Sequence, residues 1–294
     1  MRVLVIGSEG NIGRPLVSYL QTHGHAVTAT DIRPGWRPGY VTADICMPMD
    51  LADAIDNADV VLLLSAVVSR VVCEQAALLT YSTNLQGAAG IARLCAKSKS
   101  KLVFLSTSEV YGPTTAAMSE DMTPHPNNRY GLTKWLGEEI VRYEVEYGNL
   151  DAVILRPFMI YGENEDEGEH RSAVVRFASN LAAGRPIFVH HGTMRSWMHV
   201  DDACRAIELA CYLEGPGCPV INIGHPRVYP MVQVAEFIRA ELGVSIDLLH
   251  YEQQPRQMTP VKRPDLTRQT ELLGIEPTVD LPEGIRRVCA RYKK

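Results

Sequence analysis

The stretch RVLVIGSEGNIG, residues 2–13, limits the possible folds more than any other part of this 294-residue chain. A run of β-branched and apolar residues, Arg2–Ile6, ends in glycines at 7, 10 and 13, and helical periodicity follows over Arg14–His23. Glycines placed in this way let a strand turn sharply into a helix and let the backbone approach a pyrophosphate. The helix start then offers free N–H groups and a partial positive charge to the phosphates. A second strand, Ala26–Asp31, ends in a carboxylate 18 residues beyond Gly13. Asp31 is placed to accept hydrogen bonds from both ribose hydroxyls of an adenosine and to repel a 2′-phosphate. NAD is therefore expected over NADP, with Arg33 weakening the preference.

Further apolar runs at Val60–Leu64, Lys101–Ser106 and Ala152–Leu155 alternate with helical patterns over Leu78–Lys97 and Tyr130–Tyr147. That alternation predicts an α/β fold, a doubly wound parallel sheet with helices on both faces. After Gly162 the chain becomes acidic and irregular (ENEDEGEHR) and then passes through helix candidates at Ser172–Ala183, Met231–Leu242, Leu266–Leu273 and Leu281–Lys294. We expect residues 1–162 to form the dinucleotide-binding domain, with 187–223 contributing partly through a last sheet element at Val220–Ile223. Residues 163–294 are expected to form mainly a smaller substrate-binding lobe, and the cleft between the two is the default place for a ligand.

Net charge is −5 and the lysines and arginines are scattered, so no basic stripe for nucleic acid is expected. The longest apolar run, Val60–Leu64, extended only by small residues to Val68, is far short of the ~20 residues that span a bilayer. The N-terminus reads as a first strand and not as a signal peptide. Seven cysteines without a C-x-x-C pair argue against a disulfide framework or a zinc site and for reduced thiols in the cytoplasm.

Tyr130 and Lys134, in YGLTK, lie four residues apart on one helix face. A phenol serving as a base near pH 7 needs its pKa lowered by ~3 units, roughly 4 kcal/mol. A neighbouring ammonium and a positive nicotinamide ring both push that way. The pair stands about twenty residues after a strand that ends in Ser-Thr-Ser, within STSEVYG at 106–112, which makes the spacing specific. Asp44-Ile45 follows a third short strand and could bracket an adenine, and Leu64-Ser65-Ala66 ends the fourth strand where a cofactor backbone would pass.

In order and spacing, GSEGNIG, Asp31, Asp44-Ile45, Asn84 in YSTNLQG, STSEVYG, YGLTK, LRPFMIYG, RSWMHVDD and KRPDLTRQTELLGIEP together resemble the extended short-chain dehydrogenase/reductase family, in its NAD-dependent nucleotide-sugar epimerase/dehydratase branch. The resemblance implies a Rossmann domain with tightly held, recycled NAD, and a C-terminal lobe that grips a nucleoside diphosphate sugar. Its cofactor positions fall on Gly7, Gly10, Asn11, Ile12, Gly13, Asp31, Ile32, Arg33, Asp44, Ile45, Leu64, Ser65, Ala66, Asn84, Tyr130, Lys134 and Pro157. Tyr130 matches the base that takes the proton of a sugar hydroxyl, usually at C4, and Thr107 the hydroxyl that hydrogen-bonds the same group. Lys134 matches the group that lowers the phenol pKa and binds the nicotinamide ribose. Arg195 and Arg263 match arginines that hold the diphosphate.

Glu109 resembles the glutamate of several 4,6-dehydratases and UDP-glucuronate decarboxylases. In the dehydratases that residue removes the C5 proton of a 4-keto sugar. Ser108 stands where some dehydratases carry an aspartate acid, which favours the guanosine-sugar dehydratase or decarboxylase style. Alternatives are a 4-epimerase without elimination, a net NAD(P)-dependent reductase or dehydrogenase of the same fold, and a non-catalytic NAD-binding regulator. Two departures stand out: Met159 replaces the usual substrate-contacting asparagine, and NNRYG replaces the frequent Ser-Pro-Tyr. The acidic loop at 163–169 is expected to be a solvated lid. The family implies a homodimer built on Leu78–Lys97 and Tyr130–Tyr147.

Overall fold

The structure, a computed structural model, describes residues 1–35, 37–168, 172–254 and 259–293. Among them, strands run in chain order as β1 (Arg2–Ile6), β2 (Ala26–Asp31), β3 (Val41–Thr42), β4 (Val60–Leu63), β5 (Lys101–Leu105), β6 (Ala152–Pro157), β7 (Met159–Tyr161), β8 (Ile187–His191), β9 (Met194–His199), β10 (Val220–Ile223), β11 (Val228–Pro230), β12 (Leu249–Gln253) and β13 (Val261–Lys262). The chain forms two compact units. One takes Met1–Gly112, Thr123–Arg156 and Cys204–Ile221, and the other takes Pro113–Met122, Pro157–Ala203 and Asn222–Lys294.

The first unit is built on a seven-stranded sheet of order β10-β6-β5-β4-β1-β2-β3. From β3 to β6 every pair is parallel. The strand order reverses at β1, which lies between β2 and β4, and in open α/β sheets this switch point is where ligands bind. Both β4 and β5 are buried at every residue. Their unbroken apolar runs follow from burial on both faces of a parallel sheet. The helix Gly13–Thr22 buries Gly13, Leu16, Val17 and Leu20, an i, i+3, i+4, i+7 stripe.

The helix expected over Leu78–Lys97 divides into Ala77–Tyr81, a π-turn at Ser82–Gly87, and Ala88–Ser98. One wide turn there lets Asn84 reach inward to partners described below, a local demand that periodicity does not register.

The long helix Arg129–Gly148 starts on Asn128, whose side chain accepts the Gly131 N–H, and ends on Asn149 in the left-handed region. Its buried face carries Lys134 and Glu138. Glu138 is paired bidentately with Arg156 of β6, at 2.9 and 2.6 Å, and also accepts the Ser106 hydroxyl. The guanidinium lies 4.9 Å from the Tyr111 ring centroid. Removing one member of so buried a pair strands a charge and costs about 3–5 kcal/mol.

In the second unit, β9 is flanked by β11 and β13 and also pairs with β7, while β8 pairs with β12. Val174, Phe177, Trp197, Val234 and Ile285 belong to its core. Part of the acidic 163–169 run turns inward. Glu163 lies 2.8 Å from His199 Nε2, and Glu165 accepts the Ser172 N–H and hydroxyl at 2.7 and 2.6 Å. These residues anchor the unit, so the solvated lid does not extend over them; residue 169 lies outside the described residues.

His199 Nδ1 faces both the Asp201 N–H, at 3.2 Å, and the Asp201 carboxylate, at 3.5 Å. A neutral ring accepts from the first and a protonated ring donates to the second. Burial alone would push the imidazole pKa down, but Asp201 and Glu163 outweigh it and hold it up at about 9. This contribution to stability is full below about pH 6.5 and is lost as pH rises through about 9. Urea midpoints should fall across that window, and the fall should flatten in His199→Gln.

Candidate active site

The glycine turn is sterically fixed. Gly7 has φ +94°, and a Cβ there would lie 2.8 Å from the Ser65 backbone nitrogen. A Cβ on Gly13 would lie 2.1 Å from the Gly7 carbonyl oxygen. The turn is thus pressed between the helix start and the exit of β4, where Leu64 and Ser65 N–H groups donate to Ile6 O at 2.9 and 3.1 Å. Ile12 caps the helix with no side-chain acceptor, and its first turn has no acidic residue, so the positive end of the helix is not neutralised within its own first turn. Gly10 and Asn11 complete this rim, both half-buried.

Asp31 ends β2, buried, and accepts the Glu9 N–H at 3.1 Å and the Arg33 N–H at 3.0 Å. The Arg33 guanidinium is itself engaged with Asp31, at 3.5 Å, and with the Glu9 carbonyl. Ile32 is 64% exposed, an apolar surface beside that carboxylate. Asp44 accepts the Cys46 N–H at 2.9 Å, and Ile45 is buried. A close-packed glycine cradle and a buried carboxylate at the end of β2 are what the phosphates and adenosine ribose of NAD require.

Asn84 accepts the Val67 N–H at 2.8 Å and donates to Val67 O at 3.2 Å and to Thr133 Oγ1 at 3.0 Å. Its amide is committed to protein groups. It ties the chain after Leu64-Ser65-Ala66 to the Arg129–Gly148 helix, one turn from Tyr130.

Thr107, Tyr130 and Lys134 are brought together. The Thr107 hydroxyl accepts the Glu109 N–H at 3.2 Å, opening a short 3₁₀ turn over Ser108–Tyr111, and its nearness to the Tyr130 phenol favours the ionised form of that phenol. Lys134 is buried with Nζ 4.2 Å from the Phe104 ring centroid. Burial pushes its pKa down to about 7, with Glu138 opposing. The expected lowering of the phenol pKa is not what the protein's own groups produce: burial pushes Tyr130 up, and Thr107 only partly offsets it. The Glu109 carboxylate adds to the rise, and the positive nicotinamide is the remaining group that would push the phenol down.

Glu109 is half-buried and accepts from Asn128 Nδ2 at 3.0 Å. Asn128 was not among the residues singled out from sequence; its one signal was the unusual NNRYG. Ser108 is buried.

In the second unit, Arg195 Nη1 donates to the carbonyls of Met194 and Pro260, both at 2.8 Å. Its register partner on β13 is Lys262, also buried, so the two cations project from one face of neighbouring strands. Arg263, one residue on, is exposed. Two residues of strand were too few for periodicity to separate Lys262 from Arg263. Met159 is paired with Trp197 in register and packs against the core, and its thioether cannot supply an amide's donors. Pro157 closes β6.

Residues 3–224 match the family model described as the NAD dependent epimerase/dehydratase family. The chain therefore belongs to that family, and NAD is its cofactor. It is 27% identical to a UDP-N-acetyl-alpha-D-glucosaminuronate decarboxylase of Bacillus cytotoxicus, over 100% of this chain and 98% of that protein. It is 28% identical to a UDP-glucose 4-epimerase of Mycolicibacterium smegmatis, over 100% and 99%. The solved structure of MoeE5 in complex with UDP-glucuronic acid and NAD matches with a TM-score of 0.88 at 25% identity, over 99% and 98%. Sheet, glycine turn and the Thr107–Tyr130–Lys134 group accord with an enzyme of this class.

Two outcomes follow. Asp31→Asn should weaken NAD binding about 10- to 100-fold, the worth of hydrogen bonds to a charged acceptor, as read by isothermal titration. Lys134→Met should raise the urea midpoint, and its advantage should widen as pH falls from about 10 to about 7. In that span an unfolded lysine binds the proton that the buried one resists.

Proposed function

We propose that the protein oxidises a nucleoside diphosphate sugar at C4 and then eliminates water, a dehydratase reaction in which the cofactor is recycled. The observation that carries this reading is the grouping of Thr107, Tyr130 and Lys134 with a carboxylate, Glu109, hydrogen-bonded on the same turn. Bound NAD supplies a positively charged nicotinamide that takes up a hydride and gives it back.

Tyr130, held by Thr107, accepts the C4 hydroxyl proton, and Lys134 binds the nearby ribose. The resulting ketone acidifies C5–H. Glu109 takes that proton, the C–H electron pair becomes the C5=C6 bond, and the C6 hydroxyl leaves as water; the hydride taken from C4 would then return to C6 while Glu109 gives its proton back to C5, which leaves a 4-keto-6-deoxy sugar. Ser108 is buried and offers no acid, so solvent protonates the leaving oxygen. Arg195 is proposed to pair with the substrate diphosphate, with Lys262 as its partner cation and Arg263 as the exposed alternative.

Loss of carbon dioxide from a uronic acid is a second reading, favoured by the decarboxylase among the relatives. Mass spectrometry of products from UDP-glucose, dTDP-glucose and UDP-glucuronic acid separates the outcomes: loss of 18 for dehydration, loss of 44 for decarboxylation, no change for epimerisation. Glu109→Gln should reduce the dehydrated product by about 10²–10⁴-fold while NADH still forms from bound NAD. Unchanged turnover would remove the elimination role.

A homodimer belongs to this proposal. Leu78 is 84% exposed, and Leu79, Tyr143 and Tyr147 are also exposed, an apolar surface on the Ala77–Tyr81 and Arg129–Gly148 helices. Leu78→Glu with Tyr147→Glu should halve the mass measured by light scattering; a parent protein that is already monomeric would overturn this. Among the described residues no helix is long and apolar enough to cross a membrane, and none of the seven cysteines is in a disulfide. We place the protein in the reducing cytoplasm.

A further inference from the structure

We propose that Asn128 is the positioning residue for Glu109, and that it commits that carboxylate to acting as a base. The inference rests on the reading of Glu109 given above and adds what holds the carboxylate. Asn128 has two tasks at once. Its Oδ1 accepts the Gly131 N–H at 2.9 Å and caps the Arg129–Gly148 helix. Its Nδ2 donates to Glu109 Oε2 at 3.0 Å and to Asn127 Oδ1 at 3.1 Å.

The Glu109 backbone is clamped from the same side. A Cβ on Gly131 would lie 2.7 Å from Glu109 O, so the helix start packs directly on that peptide. Thr107 accepts the Glu109 N–H, so that residue is held at its amide by a hydroxyl, at its carbonyl by the helix start and at its carboxylate by Asn128.

The chemistry of the donor matters. An amide fixes one carboxylate oxygen and keeps it ionised, ready to receive a proton, while lowering its basicity less than the full charge of a lysine or arginine would. The first turn of a twenty-residue helix adds a partial positive charge at the same end. Donor and dipole both favour a carboxylate that receives a proton over a carboxylic acid that gives one.

The cap and the Glu109 contact use different atoms of one side chain, so substitution separates them. Asn128→Ser keeps a capping oxygen and loses the donor. Asn128→Asp keeps a cap and sets a second carboxylate against Glu109. The holoenzyme is followed in D₂O with dTDP-glucose and UDP-glucose, reading NADH absorbance for the C4 step and deuterium at C5 by mass spectrometry for the Glu109 step.

Asn128→Ser should form NADH at the parent rate and exchange C5 hydrogen about 10- to 100-fold more slowly. In Asn128→Asp the acid limb of exchange against pH should move upward. Parent-like exchange in Asn128→Ser, with Glu109→Gln inactive in exchange, overturns the role of Asn128 alone. Parent-like exchange in Glu109→Gln overturns the base reading beneath it. Equal loss of NADH formation and exchange in both Asn128 variants marks a role confined to folding and also overturns the proposal.

Discussion

The buried pair between Glu138 and Arg156 is the interaction on which the first unit's chemistry depends. Neither side chain is exposed, and their two hydrogen bonds join the long helix to β6. The Ser106 hydroxyl brings the end of β5 into the same network, and Tyr111 closes over the guanidinium. Thr107 follows Ser106, and Lys134 stands one helical turn before Glu138. The pair therefore sets the rotation of the helix relative to the strand end that carries the hydroxyl partner of Tyr130. Such pairs contribute little net stability compared with apolar replacements, but they specify one arrangement strongly, because a half-formed pair is so costly.

Around that anchor the side chains with chemical capacity divide their tasks. Asn84 holds the β4 exit to the helix and Asp31 closes the end of β2, while Thr107 opens the turn carrying Glu109. Desolvation raises the pKa of the half-buried Tyr130 and lowers that of the buried Lys134, so the protein alone favours the neutral form of each. The protein supplies geometry and desolvation. The cofactor's charge completes the electrostatics.

Much of this was legible in the sequence. The strands β1, β2 and β10 fall where β-branched runs put them, and β4 and β5 end one residue short of the expected runs. The glycine turn declared itself because steric exclusion leaves no other residue at Gly7 and Gly13. Less legible was anything set by pairing between distant segments. The two-residue strands β3 and β13 have no period to detect, and so Lys262 was missed beside Arg195. The π-turn at Ser82–Gly87 keeps helical composition and changes only the spacing of one turn. Asn128 was visible only as a departure from a common pattern, and its partner, nineteen residues earlier, could not be read from spacing.

Phe104 gives this arrangement an unusual sensitivity. Its ring belongs to the hydrophobic core of the first unit and is also the surface on which the Lys134 ammonium rests. A Cβ on Gly137 would lie 2.9 Å from the same ring, so it has little freedom to move away. The floor of the site and the interior of the sheet are thus one aromatic face. Drift in core packing, of the kind that accumulates neutrally in many enzymes, would here be transmitted as a change in the dielectric around the Lys134 amine. Evolution of the interior and tuning of the chemistry are coupled through a single side chain.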